Sequence, residues 1–193
     1  MAVSKLADHE CVALFRRGER EGFAELARRY RGRLFRFLVR MTGCPDDAEE
    51  LTQDTLERAL HGIADWEPRA QFQTWLFRIA TNAAYDHLRQ RRRMGLVPLD
   101  TVPEAHDPDA GPERRLRNEQ EAAILRSALM RLPFEHRQIL LLREAAGLSY
   151  AEIAATLGVN EGTVKSRLAR ARLQVIDLCK RYGLTRLNTE DCT

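Results

Sequence analysis

The sequence predicts an all-α protein of two small helical domains, and three observations carry that prediction. Ala, Leu, Arg and Glu dominate the 193 residues while aromatics make up only 7%, a mixture that favours helices over strands. Apolar residues recur at helical spacing through most of the chain. Between two such stretches lies Met94 to Pro112, which has no periodicity, contains Pro98, Pro103, Pro108 and Pro112, and carries Asp100, Glu104, Asp107 and Asp109 but no Lys or Arg. That composition reads as a flexible acidic linker. It divides the chain into residues 1–93, a linker over 94–112, a second domain over 113–182 and a C-terminal tail over 183–193.

Each element follows from its own signals. A first helix holds Val12, Leu14 and Phe15 and ends near Gly18. The second places Phe23, Leu26, Tyr30, Leu34, Phe37, Leu38 and Met41 on one face, and Gly43 stops it. The third begins at Pro45, where Asp46 and Glu49 have capping-box spacing, and runs to about Gly62. A short loop from Asp65 to Ala70 leads into a fourth helix with Phe72, Trp75, Leu76, Ile79 and Ala83 on its apolar face. Beyond the linker, Glu113 to Arg131 reads as a helix, and Pro133 opens another that Gly147 closes. Ser149 and Glu152 form a second capping box before a short helix. Gly158-Val159-Asn160 makes a turn, and a long helix starts at about Glu161.

Ser149 to Leu173 therefore has the grammar of a helix-turn-helix: a short capped helix, a glycine turn, and a helix with a polar face. Val164, Leu168, Ala171 and Val175 share the inward side of the last helix. Gly162, Lys165, Ser166, Ala169 and Arg170 lie opposite, where a major groove would meet them. Arg167 and Arg172 flank that face and suit phosphate contacts. An amphipathic helix with a merely solvated basic face is the bland alternative; the capped helix and tight turn before it favour DNA.

Composition excludes several other classes. The formal net charge is only +3, so the balance of the whole chain does not imply nucleic acid; the local cluster Arg89, Arg91, Arg92 and Arg93 is more informative. No apolar run is long enough to span a bilayer, and Met1 to Glu10 lacks the apolar core of a secretory signal. A cytoplasmic location is expected. Cys11, Cys44, Cys179 and Cys192 are scattered without a C-x-x-C pair, which favours reduced structural thiols over a metal site built on His9 and Cys11. No metal, cofactor or catalytic residue is expected: the chain shows no metal cluster, no phosphate-cradling glycine loop and no nucleophile–base pair.

Three segments together are identified as a family pattern. Gly147 to Ala154 followed by Gly162-Thr163-Val164-Lys165-Ser166-Arg167-Leu168-Ala169-Arg170-Ala171-Arg172 resembles the promoter-binding domain of sigma-70-family factors. By itself that stretch also fits the DNA-binding domain of a response regulator. Asp47-Ala48-Glu49-Glu50-Leu51-Thr52-Gln53-Asp54 resembles the segment by which sigma factors grip the core polymerase clamp. Phe72 to Asn82, ending at Asp86-His87-Leu88-Arg89, resembles their −10-element reader. The three occur in the family's order and cover nearly everything between Phe23 and Leu173. With room only for the second and fourth sigma regions, the chain is similar to the extracytoplasmic-function (ECF) group. Asp54 and Leu56 stand where Glu and an aromatic are common in that family, and Ala169 is small where some relatives carry a larger reader.

The resemblance implies roles. Region 2 would occupy residues 1–93 and region 4 residues 113–182. Core polymerase binding falls on Asp47, Glu50, Leu51, Gln53 and Asp54, with the polymerase clamp and flap as partner surfaces. Capture of single-stranded −10 DNA falls on Trp66, Gln71, Thr74, Trp75, Arg78, Asn82, Tyr85, Arg89 and Arg92, with Trp66 as a stacking surface and Asn82 at the edge of an extruded base. Duplex −35 contacts fall on Thr163, Lys165, Ser166, Arg167, Ala169, Arg170 and Arg172. An anti-sigma factor that holds the protein until a stress releases it is a further expected partner, and the acidic linker would thread toward the polymerase active-site and RNA-exit channels. Two rivals are a helix-turn-helix regulator that binds operators alone, and a sigma mimic that only sequesters an anti-sigma factor. Basic residues on both expected DNA surfaces argue against the mimic.

Overall fold

The structure, a computed structural model, describes residues 3–67, 71–94 and 112–182, with side chains from residue 120 onward in the last stretch. Among them are a 3-10 turn, Val3–Lys5, and eight helices: α1 Asp8–Arg16, α2 Glu21–Thr42, α3 Pro45–Gly62, α4 Phe72–Arg93, α5 Pro112–Arg131, α6 Phe134–Glu144, α7 Tyr150–Leu157 and α8 Glu161–Arg181. No strand occurs among the described residues, so the all-α expectation holds. Most of the expected linker and all of the expected tail lie outside the described residues.

Helices α1 to α4 form one bundle around α2. Leu34, Phe37, Leu38 and Met41 on α2 are fully buried, and Phe37 meets Phe77 of α4 edge-on at 5.2 Å between ring centroids. Burying such side chains contributes about 1.5–3 kcal/mol each. Gly22 lets α1 and α2 touch, since a Cβ there would lie 2.2 Å from the Cys11 carbonyl oxygen. Gly43 ends α2 in the left-handed region at φ 79, where glycine has no steric penalty.

One cap differs from the sequence expectation. Cys44, not Asp46, is the N-cap of α3, and Pro45 stands at N1. Proline's fixed φ starts the helix there and its missing N–H would have been unpaired anyway. Asp46 is thereby drawn inside the first turn, and it acts on the helix dipole instead of capping. The Cys44 N–H is satisfied by the Thr42 hydroxyl at 3.2 Å.

Helices α5 to α8 form the second bundle. Ile139, Leu142, Ile153, Val164, Leu168 and Ala171 close its core, and every one of them is 2% exposed or less. The Ser149 capping box is present, with the Ser149 N–H donating to Glu152 Oε2 at 2.8 Å and the Glu152 N–H to Ser149 Oγ at 3.3 Å. Gly158 takes the left-handed conformation at φ 66 and turns the chain. Asn160 is the N-cap of α8, its Oδ1 accepting the Thr163 N–H at 2.8 Å.

The two bundles touch. Helix α4 packs on α6 and α7, and α2 packs on α5 and α6. Past the end of α6, the Ala146 carbonyl accepts from Arg33 Nη2 at 2.9 Å and from Gln73 Nε2. The Thr74 hydroxyl donates to Glu152 Oε1 at 2.9 Å, and the Tyr85 ring lies 5.2 Å from that of Phe134.

Candidate nucleic-acid interface

The reading face expected on α4 is an exposed polar stripe. Successive turns bring Gln71, Arg78, Asn82, Tyr85 and Arg89 to one side, and all five are exposed, as is Arg92. On the opposite side Leu76, Phe77, Ala80 and Ala84 are fully buried and fix the helix's rotation. Arg89 sits 5.9 Å above the Tyr85 ring and 3.7 Å from Asp86. Asn82 is free of any neighbour that would lock its amide, since no hydrogen bond engages it among the described residues. A groove of about 270 Å³ runs along this helix, lined by Tyr85, Leu88, Arg89, Arg92, Arg93 and Phe134.

Three residues of that expected set are placed differently. Trp66 is 7% exposed and wedged edge-on against Phe72 at 5.9 Å. Its ring would have to leave this cluster to stack on a base, and burial of its large apolar surface opposes that. Thr74 is 3% exposed because it faces the other bundle, where Glu152 takes its hydroxyl. Trp75 is half-buried and packs on Phe72 at 5.5 Å.

On α8 the expected face is open. Lys165, Ser166, Ala169 and Arg170 are exposed, while Val164, Leu168, Ala171 and Val175 are buried beneath them. Thr163 and Arg167 are half-buried at its border. Leu173, 67% exposed, continues the same face and was not picked out from sequence; a thymine methyl is the groove feature an apolar side chain suits. Its only sequence signal is a leucine out of phase with the buried positions. Arg172 is the residue that departs from expectation: its Nη2 is 2.8 Å from Glu144 and it is 20% exposed. That ion pair ties α8 to α6 and takes from a phosphate part of what the guanidinium offers. Lys165 lies 6.0 Å from the Tyr150 ring, which holds its stem near the start of α7.

The expected polymerase-binding face on α3 is reduced. Glu50 and Gln53 are exposed, and Gln53 Nε2 donates to Glu57 at 3.0 Å. Asp54 is 37% exposed and paired with Arg58 at 2.8 Å. Leu51 is 6% exposed and supports the helix from within. Asp47 is 18% exposed, with Arg91 bonded to its carboxylate and His87 Nε2 at 3.1 Å, so it braces α3 against α4 instead of projecting outward. Sequence spacing could not reveal this, because the partner lies 44 residues away. Beside these residues a groove of about 310 Å³ opens between α2 and α3, lined by Phe23, Arg31, Glu49, Gln53, Leu56 and Leu60.

Among the described residues no group of three or more His, Cys, Asp or Glu side chains is placed to hold a metal ion, and no helix is long and apolar enough to cross a membrane. Cys11 and Cys179 are both buried, and burial pushes each thiol's pKa up.

Comparison with known proteins bears on the family of the chain. The family model for Sigma-70 region 2 matches residues 26–94, and that for Sigma-70 region 4 matches residues 122–175. The chain is 38% identical to the ECF RNA polymerase sigma factor SigE of Mycolicibacterium smegmatis over 82% of its own length, spanning 62% of that protein. It is 37% identical to the ECF RNA polymerase sigma factor SigM of Mycobacterium tuberculosis, over 89% of this chain and 84% of that one. Among solved structures it is similar to the sigma factor RpoE of Bartonella quintana, determined in complex with the anti-sigma factor NepR. The TM-score is 0.68 at 28% identity, covering 82% of this chain and 96% of that one. Two family matches in the expected order, together with a relative 37% identical of which the chain covers 84%, place this protein in the sigma-70 family of RNA polymerase sigma factors, within its ECF group.

Proposed function

We propose that this protein directs core RNA polymerase to particular promoters and helps open their −10 element, with α8 docking on duplex −35 DNA and α4 capturing the melted −10 strand. It catalyses no reaction; the polymerase supplies the chemistry, and the protein works beside it in the cytoplasm. The observation that carries this reading is the pairing, in one chain, of an exposed Arg78–Asn82–Arg89 stripe on α4 with an exposed Lys165–Ser166–Arg170 face on α8. Major-groove edges are read by a helix such as α8. A strand separated from its complement loses stacking and pairing, so its captor must return that free energy through base pockets and phosphate contacts. Asn82 offers an amide with donors and acceptor for a base edge, and Arg78 and Arg89 stand beside it for the phosphates. Glu50, Gln53 and Asp54 would meet a basic surface of the core enzyme, where charge sets specificity and association rate more than affinity. The RpoE–NepR complex supports an anti-sigma factor as a further partner. An operator-binding regulator acting alone would need no polymerase-facing helix, and the sigma-factor relatives favour the polymerase reading.

Transcription in vitro with purified core polymerase on fragmented genomic DNA tests this reading and maps both promoter elements. Asn82→Ala is expected to lose permanganate-detected opening on duplex and pre-melted promoters alike, while core binding persists. Wild-type opening on the duplex by this variant would remove Asn82 from the −10 site, and failure of the wild-type protein to direct any start would refute the proposal as a whole.

A further inference from the structure

Asp47 stands on the helix that would face polymerase, yet its carboxylate is turned toward the helix that would read DNA. We propose that Asp47 is a positioning residue for the −10 reader: through Arg91 and His87 it fixes the last turns of α4, and its loss impairs promoter opening without weakening the grip on core polymerase. The inference rests on the assignment of α4 as the −10 reader.

Helix geometry puts the brace and the reading stripe on opposite sides of α4. His87 and Arg91 are only about 40° apart around the axis. Both face Asp47: Arg91 Nη1 bonds its Oδ2, and His87 Nε2 lies 3.1 Å from the same oxygen. Asn82 lies about 180° from Arg91, and Arg89 about 160°. Asp47, His87 and Arg91 are half-buried, while Asn82, Tyr85, Arg89 and Arg92 are exposed.

The end of α4 needs such a hold. Arg89, Arg91, Arg92 and Arg93 crowd its last turns. Cations suit a helix C-terminus, but so many neighbours of one sign also repel each other. Asp86 engages Arg89 at 3.7 Å on the exposed side. On the inner side Asp47 is the only acceptor that Arg91 has among the described residues, and Arg91 Nε is buried with none. Asp47 belongs to the first turn of α3 and Arg91 to the last turn of α4. The positive end of one helix therefore meets the negative end of the other, and both dipoles favour the pair.

One helix thus has two separable tasks. Glu50 and Gln53 follow Asp47 on α3 and stay exposed to a partner. The first turn sets the angle at which α4 presents Asn82 and Arg89. Arg89 and Arg92 are within two residues of the brace, so fraying there would scatter the cations that a melted strand must find already in place.

Two substitutions on α3 test this without touching α4. Asp47→Asn removes the charge at nearly constant shape, and Asp47→Arg sets a cation beside Arg91 and His87. Amide hydrogen exchange of the full chain should show residues 88–93 exchanging about tenfold faster in Asp47→Asn, as befits a pair between exposed and buried, with α2 protection unchanged. Core affinity in a titration should keep its wild-type value. Permanganate-detected opening of duplex promoters should fall about tenfold in Asp47→Asn and further in Asp47→Arg. Adding Arg91→Asp to Asp47→Arg restores opposite charges and should recover most of the opening. Weakened core binding by Asp47→Asn would return the residue to the polymerase face and overturn the proposal. So would unchanged exchange at residues 88–93, faster exchange throughout the bundle, or no recovery in the double variant. Normal opening by Asn82→Ala defeats the −10 assignment, whereas normal opening by Asp47→Arg beside a defective Asn82→Ala defeats the brace alone.

Discussion

Asn160 holds the first turn of the helix that would read −35 DNA, and removing its side chain has a calculable consequence. Asn160 has an extended backbone, φ −82 and ψ 158, and its Oδ1 accepts both the Thr163 N–H at 2.8 Å and the Thr163 hydroxyl at 3.0 Å. In Asn160→Ala the Thr163 N–H loses its acceptor. Because this helix end is exposed, water takes part of the load, and the loss should be about 1 kcal/mol, within the 0.5–2 kcal/mol span of such caps. In a bundle of this size that corresponds to a fall in Tm of about 4–8 °C. Asn160→Asp keeps the acceptor and adds negative charge at the positive end of the helix, so it should equal or slightly exceed the wild type. Lys165 and Ser166 sit in the first two turns of α8, so fraying there should also weaken −35-dependent transcription by Asn160→Ala and leave Asn160→Asp active. Urea unfolding of the full chain, followed by far-UV circular dichroism, reads the stability difference as a midpoint shift at constant slope. An alanine variant within about 0.3 kcal/mol of wild type, or an aspartate variant as unstable as alanine, would refute the capping account.

Three further outcomes are expected. Arg170→Ala should cost about 1–3 kcal/mol of discrimination at promoters that depend on their −35 element; full additivity with a −35 base change, measured in run-off transcription, would show that Arg170 does not read it. Gln53→Ala combined with Asp54→Asn should weaken binding to core polymerase in a titration while helix content is kept; Asp54→Lys is a poorer test, because it would set two cations at the spacing of the present Asp54–Arg58 pair. Hydrogen bonds from Arg28 and then Arg29 hold the Glu25 carboxyl down to about 2. A depressed carboxylate stabilises the fold fully above its unfolded value of about 4.5 and loses that contribution as pH falls toward 2, so Glu25→Gln should flatten the acid limb of a pH–stability curve between about pH 4.5 and 2; an unchanged limb would remove Glu25 as its source.

How far the sequence reaches is clear from particular residues. Buried positions at every third and fourth residue of α2 and α8, the Ser149–Glu152 cap and the stops at Gly43 and Gly158 were all legible, because each depends on neighbours within about one helical turn. The exposed faces of α4 and α8 followed from the same periodicity, and the three motif segments identified the family. Asp47 looked available and is held by Arg91; Trp66 looked like a stacking surface and lies buried on Phe72; Arg172 looked ready for phosphate and is paired with Glu144. In each the deciding partner is not a helical neighbour, and periodicity carries no information about it. The contact of Thr74 with Glu152, 78 residues away, has the same origin. Local spacing determined which helices form and which way they face; only the tertiary structure decided which of the exposed-looking polar groups already have a partner, because pairing across elements depends on where the chain returns in space.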